Sequence, residues 1–247
     1  MDQSERDHLI KVYDDTFKLT KHNKIYGSNR YLGLVDESYE FKPVCDATKT
    51  FVDKMDSFGC AQMLLKQGLN PVVLNMASEY KPGGGVMKGS TAQEECLFRR
   101  SDYYRQYNKR LVQPHPDGTV IAYNELVYTP KVTVIKDENY DLCEPWTVSC
   151  IACPAIRNPV IHSTDRYSKI DYQIMQFKIK AILQTAYFHE HDSVVLGALG
   201  CGSFHNPPTR VALMFKSELP VWDKKFKEIH FAILGDENYD IFKKIIV

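Results

Sequence analysis

Two adjacent carboxylates, Glu94 and Glu95, follow a run of three glycines in the stretch KPGGGVMKGSTAQEEC. Seven residues separate Gly85 from Gln93-Glu94-Glu95. A neighbouring carboxylate and a closed, apolar site both raise the pKa of an acid, so that it keeps its proton near neutral pH. Such a group can donate a proton to a leaving oxygen and then take one from water. Gly83, Gly84 and Gly85 are costly to order, yet they let the backbone approach a ligand closely and adopt positive φ. Successive amide N–H groups in such a turn form a concavity for anions. Paired acids beside an anion cradle point to acid–base chemistry on a phosphate-bearing ligand.

A plainer reading stands beside this one. Carboxylates in a first helical turn complement the macrodipole, worth about 0.3–1 kcal/mol each. Glu95 also lies four residues before Arg99, a spacing that suits a surface ion pair. Taken alone, that reading is sufficient. The glycine tract tips the balance, because a helix face meant only for solvent needs none. Adjacent helical positions point about 100° apart, so the two carboxyls cannot serve one bond equally. One acts at the reacting centre while the other holds a hydroxyl. In glycoside hydrolysis a carboxylic acid protonates the leaving oxygen as positive charge develops on the sugar.

A second glycine-rich segment, SVVLGALGCGSFHNPP, carries Gly197, Gly200 and Gly202. Both segments follow a short apolar run of the kind buried on both faces of a sheet, NPVVLNMA and SVVL, and both precede an expected helix. In open α/β sheets, ligands bind beyond the carboxyl ends of the strands. The two segments are therefore expected to form two walls of one cleft. Neither is a standard nucleotide motif: GALGCG is not G-x-G-x-x-G, and no Gly-Lys-Ser/Thr is present.

The remaining elements have to position these segments. A helix is expected from Ser4, as its cap, to about His22, with Leu9, Val12, Tyr13, Phe17 and Leu19 as an imperfect apolar stripe. SYEFKPV reads as a short strand ending near Pro43, and SFGCAQMLLKQG as a helix closed by Gly68. AQEECLFRRSDYYRQYNKRLV has no Gly or Pro and reads as one long helix. YNELVYTPKVTVIKDENYDLCEPWTVSCIACPAI is β-rich. SKIDYQIMQFKIKAILQTAYFHEHD reads as a second long helix, with Ile174, Phe177, Ala181, Ile182 and Ala186 facing the core. Helix TRVALMFKSEL, strand FKEIHFAIL and helix ENYDIFKKII close the chain. This alternation predicts an α/β domain with a partly parallel sheet, residues 1–247 forming one domain.

Composition narrows the function. The chain has 247 residues, 31 basic and 31 acidic, so no global field draws it to nucleic acid or membrane. Any polyanionic ligand must be held locally. The charged start MDQSERDHLI does not read as a secretory signal, and no apolar run reaches the roughly 18 residues of a membrane span. Seven irregularly spaced cysteines fit reduced intracellular thiols, in cytoplasm or, in a eukaryote, nucleus.

The motif PGGGVMKGSTAQEE resembles the GGG-x(6–8)-QEE signature of poly(ADP-ribose) glycohydrolases, and VVLNMASEYKPGGG with VVLGALGCGSFHNPP resembles their microbial branch. The likeness runs from about Asn70 to the C-terminus. It implies a macrodomain-like three-layer α/β/α fold with a mixed, mostly parallel central sheet, and residues 1–45 as an N-terminal helical extension packed on it. It implies hydrolysis of ribose–ribose bonds in poly(ADP-ribose) or on ADP-ribosylated macromolecules, releasing ADP-ribose, by a monomer needing no metal or cofactor. By position, Glu95 matches the catalytic acid/base and Glu94 the residue that orients the ribose hydroxyls. Gly83, Gly84, Gly85 and Val86 match the catalytic loop, with Gln93 beside the acids. Gly197, Gly200, Cys201, Gly202, Ser203 and Phe204 match the diphosphate loop, with Phe204 pressing on the distal ribose. Asn75 matches an asparagine near the ribose site. A second asparagine usual three positions later is replaced by Ser78. The same cleft would suit an ADP-ribose reader or a hydrolase of single ADP-ribose units.

Other candidates are weaker. Cys150 and Cys153 form one C-x-x-C with no partner pair, short of a four-ligand zinc site. Cys201 lacks a local base to make it a nucleophile. His162 could face the cleft, but a packed or surface place is the commoner one for such a residue. SDYYRQYNKR reads as a core edge with a solvated face.

Overall fold

The computed structural model describes residues 2–32, 39–107, 113–162 and 166–247. Its elements in chain order are α1 (Gln3–Leu19), β1 (Asn29–Leu32), β2 (Lys49–Asp53), α2 (Ser57–Lys66), β3 (Pro71–Asn75), α3 (Gln93–Arg100) and α4 (Tyr103–Gln106). The hairpin β4 (Glu125–Lys136) and β5 (Leu142–Ala152) follows, then the small ribbon β6 (Ile161–His162) and β7 (Arg166–Tyr167). The chain ends with α5 (Lys169–Phe188), β8 (Ser193–Leu196), α6 (Pro208–Glu218), β9 (Glu228–Ala232) and α7 (Asp236–Ile246).

Seven strands form one sheet in the order β1-β4-β5-β3-β8-β9-β2. The pairs β5/β3, β3/β8, β8/β9 and β9/β2 are parallel, while β4 runs antiparallel to both its neighbours. Alternation along the central strands divides the core. Val72, Leu74, Ile151, Val194 and Leu196 face a layer built by α5, α6 and α7. Val73, Cys150, Ala152 and Val195 face the opposite layer, with Tyr13 of α1, Phe58 and Leu64 of α2, and Leu97 and Phe98 of α3. The result is an α/β domain with a partly parallel sheet, as the alternation of elements predicts, in the mixed, mostly parallel three-layer form that the resemblance implies.

α1 is bound into this second layer. Thr16 Oγ1 donates to the Arg99 carbonyl at 2.5 Å, Arg99 Nε to the Leu9 carbonyl at 3.2 Å, and Lys136 Nζ pairs with Asp15 at 2.7 Å. Its cap is Asp2 rather than Ser4: Asp2 and Glu5 form a reciprocal capping box. Phe17 and Leu19, expected in the stripe, are exposed, and Thr16 is buried instead.

Three further expectations are corrected. Residues 39–44, the described part of SYEFKPV, are not a strand. Tyr39 and Phe41 instead stack edge-on against Phe188 and Tyr187, while β1 and β2 supply strands the sequence reading missed. The helix expected over residues 92–112 breaks at Ser101, which is extended and bridges to Val134. Asp102 causes the break: its N–H donates to the Thr133 carbonyl, and its carboxylate accepts from Thr133 N, Gln106 and Asn23. Positions 108–112 of that helix lie outside the described residues. On α5 the buried face is Met175, Lys178, Ile179, Ala181, Ile182, Leu183, Thr185 and Ala186, leaving Ile174 and Phe177 half-buried.

The far end of the sheet holds a titratable cluster. His189 stacks flat on Tyr128 at 3.5 Å, and His191 Nε2 meets the Tyr128 hydroxyl at 3.0 Å. Burial lowers the His191 pKa to about 4, and the neighbouring His189 adds to the fall despite the bond to the Asn70 carbonyl. A histidine depressed in the folded state binds fewer protons there than when unfolded, so it contributes full stability above about pH 6.5 and loses it on acidification. We expect unfolding free energy to drop between about pH 6.5 and 4 by up to about 3 kcal/mol from this group. Urea titrations of wild type and His191→Gln across that range test it; the variant should show the shallower acid limb.

Candidate functional site

β3 and β8 are adjacent and parallel, so the segments after Asn75 and after Leu196 leave the sheet at one edge. That edge is where an open α/β sheet binds its ligands. The segment after β5 leaves there too, since β5 runs parallel to β3.

Both acids are buried, Glu94 at 4% exposure and Glu95 at 7%, which rules out a solvated helix start. Their hydrogen bonds explain the glycine tract. Gly83 N donates to Glu94 Oε1 at 3.1 Å, and Gly85 N donates to Glu95 Oε1 at 2.7 Å. Between them Gly84 has φ +51°, and a Cβ there would stand 2.6 Å from Glu95 Oε1 and 3.0 Å from Glu94 Oε2. A side chain at this position would force the two carboxyls to shift. The amides of Gly84 and Val86 go to the Lys81 and Gly83 carbonyls. The first strip, expected to cradle an anion, therefore directs its N–H groups at its own acids and its own turn.

The two carboxyls differ in how they are held. Glu94 accepts three donors: Asn75 Nδ2 and Gly83 N on Oε1, and Ser78 N on Oε2 at 2.7 Å. Burial nonetheless pushes its pKa up to about 8 against those bonds, and the charge of Glu95 adds to the rise. Glu95 has one donor, Gly85 N, while its Oε2 is buried with no protein partner. Beneath them lie the buried hydroxyls of Tyr103 and Tyr107, whose pKa values burial drives far above the usual phenol range. Arg99, fully buried, does not pair with Glu95. Its guanidinium donates to the Leu9 and Ser90 carbonyls and so ties α3, α1 and the glycine loop together.

Gln93, expected among the ligand contacts, uses its whole carboxamide on the fold. Its Oε1 accepts from Met76 N, and its Nε2 donates to the Leu74 carbonyl and Ser57 Oγ. It fixes the start of α3 to the end of β3. Asn75 donates to Glu94 and leaves Oδ1 buried without a partner. Ser78 contributes its backbone rather than its side chain to Glu94.

The second loop has the opposite character. Among the described residues, the N–H groups of Gly202, Ser203 and Phe204 meet no protein acceptor, and Gly202 and Ser203 are exposed. This is the strip able to take an anion on its amides. Asn206, which sequence reasoning missed, knots its base: Nδ2 donates to the Ile156 carbonyl at 2.7 Å and Oδ1 accepts from Tyr167. Gly200, at φ +76°, is packed so that a Cβ would stand 2.5 Å from Asn206 Nδ2 and from Ala155 Cβ. Arg157, also missed, lies over the Phe204 ring at 4.0 Å.

The sequence-derived residues thus fall on two loops that leave neighbouring parallel strands and on one helix start. Gly83 to Val86 and Glu94-Glu95 form one side; Gly197, Gly200, Cys201, Gly202, Ser203 and Phe204 form the other. Cys150 and Cys153 point into opposite core layers, so they cannot share an ion. His162 is exposed on the β6 ribbon. Asp53, Cys60 and His230 are the one cluster of potential metal ligands among the described residues. Both ring nitrogens of His230 are already bonded to carboxylates, Asp53 at 2.7 Å and Glu228 at 2.9 Å.

A family model for the catalytic domain of microbial-type PARG matches residues 3–137. The fold is similar to that of poly(ADP-ribose) glycohydrolase from Thermomonospora curvata, with a TM-score of 0.77 and 23% identity over 96% of this chain and 99% of that one. The same enzyme bound to the inhibitor ADP-HPD aligns with a TM-score of 0.75 at 22% identity, over the same shares of the two chains. Poly(ADP-ribose) glycohydrolase from Deinococcus radiodurans in complex with ADP-ribose aligns over 100% of this chain and 92% of that one, with a TM-score of 0.68 and 23% identity. No curated protein matches the chain in sequence.

The contact of Gly84 with Glu95 yields a stability test. Gly84→Ala should destabilise by about 1–3 kcal/mol, combining a positive-φ penalty with steric overlap. In a Glu95→Ala background the overlap largely disappears, so the same substitution should cost measurably less. Chemical denaturation of the four proteins in this cycle checks the coupling.

Proposed function

The chain belongs to the microbial-type poly(ADP-ribose) glycohydrolase family, and from that footing we propose that it hydrolyses the ribose–ribose glycosidic bonds of poly(ADP-ribose) and releases ADP-ribose, with Glu95 as general acid/base. The observation that carries the assignment is the unequal holding of the two acids. Glu94 is held at both oxygens by three N–H donors, whereas Glu95 is pinned through Oε1 alone and keeps Oε2 buried and unpartnered. Oε2 is the atom free to pass a proton to the glycosidic oxygen, beside Glu94, the acid of the pair whose carboxyl burial pushes up to about 8. As the bond breaks, positive charge develops on the ribose, and the carboxylate that results lies next to it. Water then adds to the sugar carbon and gives its proton back to Glu95.

Glu94, with both oxygens fixed in place, suits the role of orienting ribose hydroxyls through its remaining lone pairs. The diphosphate falls to the second loop, whose Gly202, Ser203 and Phe204 amides are uncommitted. Phe204 packs at the ribose end of that loop. Seven free cysteines suit a reducing, intracellular setting. No helix among the described residues is long and apolar enough to cross a membrane. The protein acts as a monomer in this reading.

Glu95→Gln should reduce release of ADP-ribose from polymer by about 10²–10⁴-fold, the usual share of a positioned acid/base. Its affinity for ADP-ribose should stay within a few-fold of wild type, because the amide is close to isosteric. Chromatographic assay of polymer digestion with calorimetric titration of ADP-ribose checks both. A wild-type protein that binds ADP-ribose yet leaves polymer intact would mark a reader instead.

A further inference from the structure

We propose that Arg157 is a positioning residue, a guanidinium plate anchored by Glu79 that sets the ring of Phe204 against the terminal ribose. The proposal rests on the reading of the site given above. Three segments meet in this contact. Glu79 belongs to the segment after β3, Arg157 to the segment after β5, and Phe204 to the segment after β8.

Arg157 Cζ lies 4.0 Å from the centre of the Phe204 ring, the distance of a guanidinium stacked on an aromatic face. Its Nε donates to Glu79 Oε1 at 3.2 Å, which fixes the plate's orientation. Glu79 is itself well anchored: its carbonyl accepts from Val120 N at 2.6 Å and Ile121 N at 3.1 Å. The residue before it, Ser78, gives its N–H to Glu94 Oε2. A continuous set of contacts therefore runs from Glu94 through Ser78, Glu79 and Arg157 to Phe204.

The second loop needs this outside support. Its backbone is tied at Phe204, where the carbonyl accepts from Asn158 N at 2.9 Å and Asn206 Nδ2 at 3.3 Å. The ring has no such tie. Gly202 beside it touches nothing within 4 Å of where a Cβ would stand, so packing does not define that part of the loop. Phe204 is only half-buried. The ring packs against the core layer beneath the loop, and the guanidinium stacks on its face from outside. Among the described residues the ion pair of Glu79 is with Arg157, so the carboxylate and the guanidinium fix each other.

A plain surface ion pair would contribute little to stability and nothing to turnover. A clamp makes a different prediction, since a misplacement of about 1 Å at a positioning group can cost up to about 100-fold in rate. We would measure kcat and KM for ADP-ribose release from polymer, ADP-ribose affinity and Tm. The proteins are full-length wild type, Arg157→Ala, Arg157→Lys, Glu79→Gln, Phe204→Ala and the double variant Arg157→Ala/Phe204→Ala. Arg157→Ala should lower kcat about ten- to hundredfold with Tm nearly unchanged. Arg157→Lys should recover little, because an ammonium cannot stack as a plane. Glu79→Gln, a near-isosteric change, should move kcat in the same direction. In the Phe204→Ala background, Arg157→Ala should have no further effect. An unchanged kcat in Arg157→Ala, or a loss equally large with and without Phe204, overturns the clamp. If wild type releases no ADP-ribose, it is the proposed reaction that fails. The clamp is then judged by the same cycle on ADP-ribose affinity, where a loss seen only in the presence of Phe204 upholds it and any other pattern sinks it.

Discussion

Two carboxyls can stand side by side in a dry site only if something in the fold is aimed at them. Here it is the backbone of the glycine strip. Gly83 N and Ser78 N hold Glu94, and Gly85 N holds Glu95. A buried polar group without a partner costs several kcal/mol, more if it is charged. The strip meets that cost unequally, with three donors for one acid and one for the other, counting Asn75. The inequality leaves Glu94 held at both oxygens and Glu95 Oε2 without a protein partner, although both have the same chemistry. The surrounding scaffold serves this contact. Gln93 fixes α3 to β3, Arg99 fixes α3 to α1 and to Ser90, and Asp102 ends the helix where β4 passes.

Much of the fold could be read from the chain because its central strands are buried on both faces. VVL in β3 and VVL in β8 are continuous apolar runs, and only a doubly covered strand makes such runs. β2 escaped notice because it is the sheet's edge: in KTFVD only Val52 is buried, so neither run nor alternation is visible. The aromatic stretch around Tyr39 and Phe41 looked like a strand because β-propensity reports half-buried packing in general. Its rings pack on α5 without joining a ladder. The break at Ser101 was hidden for another reason. No Gly or Pro marks it; a carboxylate that bonds to Thr133, 31 residues further along the chain, overrides helical propensity.

At the site, residue types were legible and their partners were not. Adjacent acids after a glycine tract identified the chemistry. That Gly83 and Gly85 turn their amides inward, onto those same acids, depends on turn geometry that no local pattern encodes. Gln93 and the glutamates look equivalent in the string QEE, yet one is wholly used by the fold and the others face the cleft. Arg157 gave no signal at all, because its ion pair spans 78 residues and its aromatic partner lies on a third segment.

The two loops differ in how their amides are used. The first is closed on itself: every amide from Gly83 to Val86 has an acceptor within the chain, so the carboxyls are in position before any ligand arrives. Preorganisation of this kind is what allows a catalytic group to act without rearrangement at the moment of reaction. The second loop is open, with uncommitted amides at Gly202, Ser203 and Phe204. The two loops leave separate strands, and each is knotted by its own residue, Gln93 on one side and Asn206 on the other. Among the described residues, a charged contact joins them: Glu79 pairs with Arg157, whose guanidinium stacks on Phe204. The acids are thus complete within the chain, while the second loop keeps its donors available.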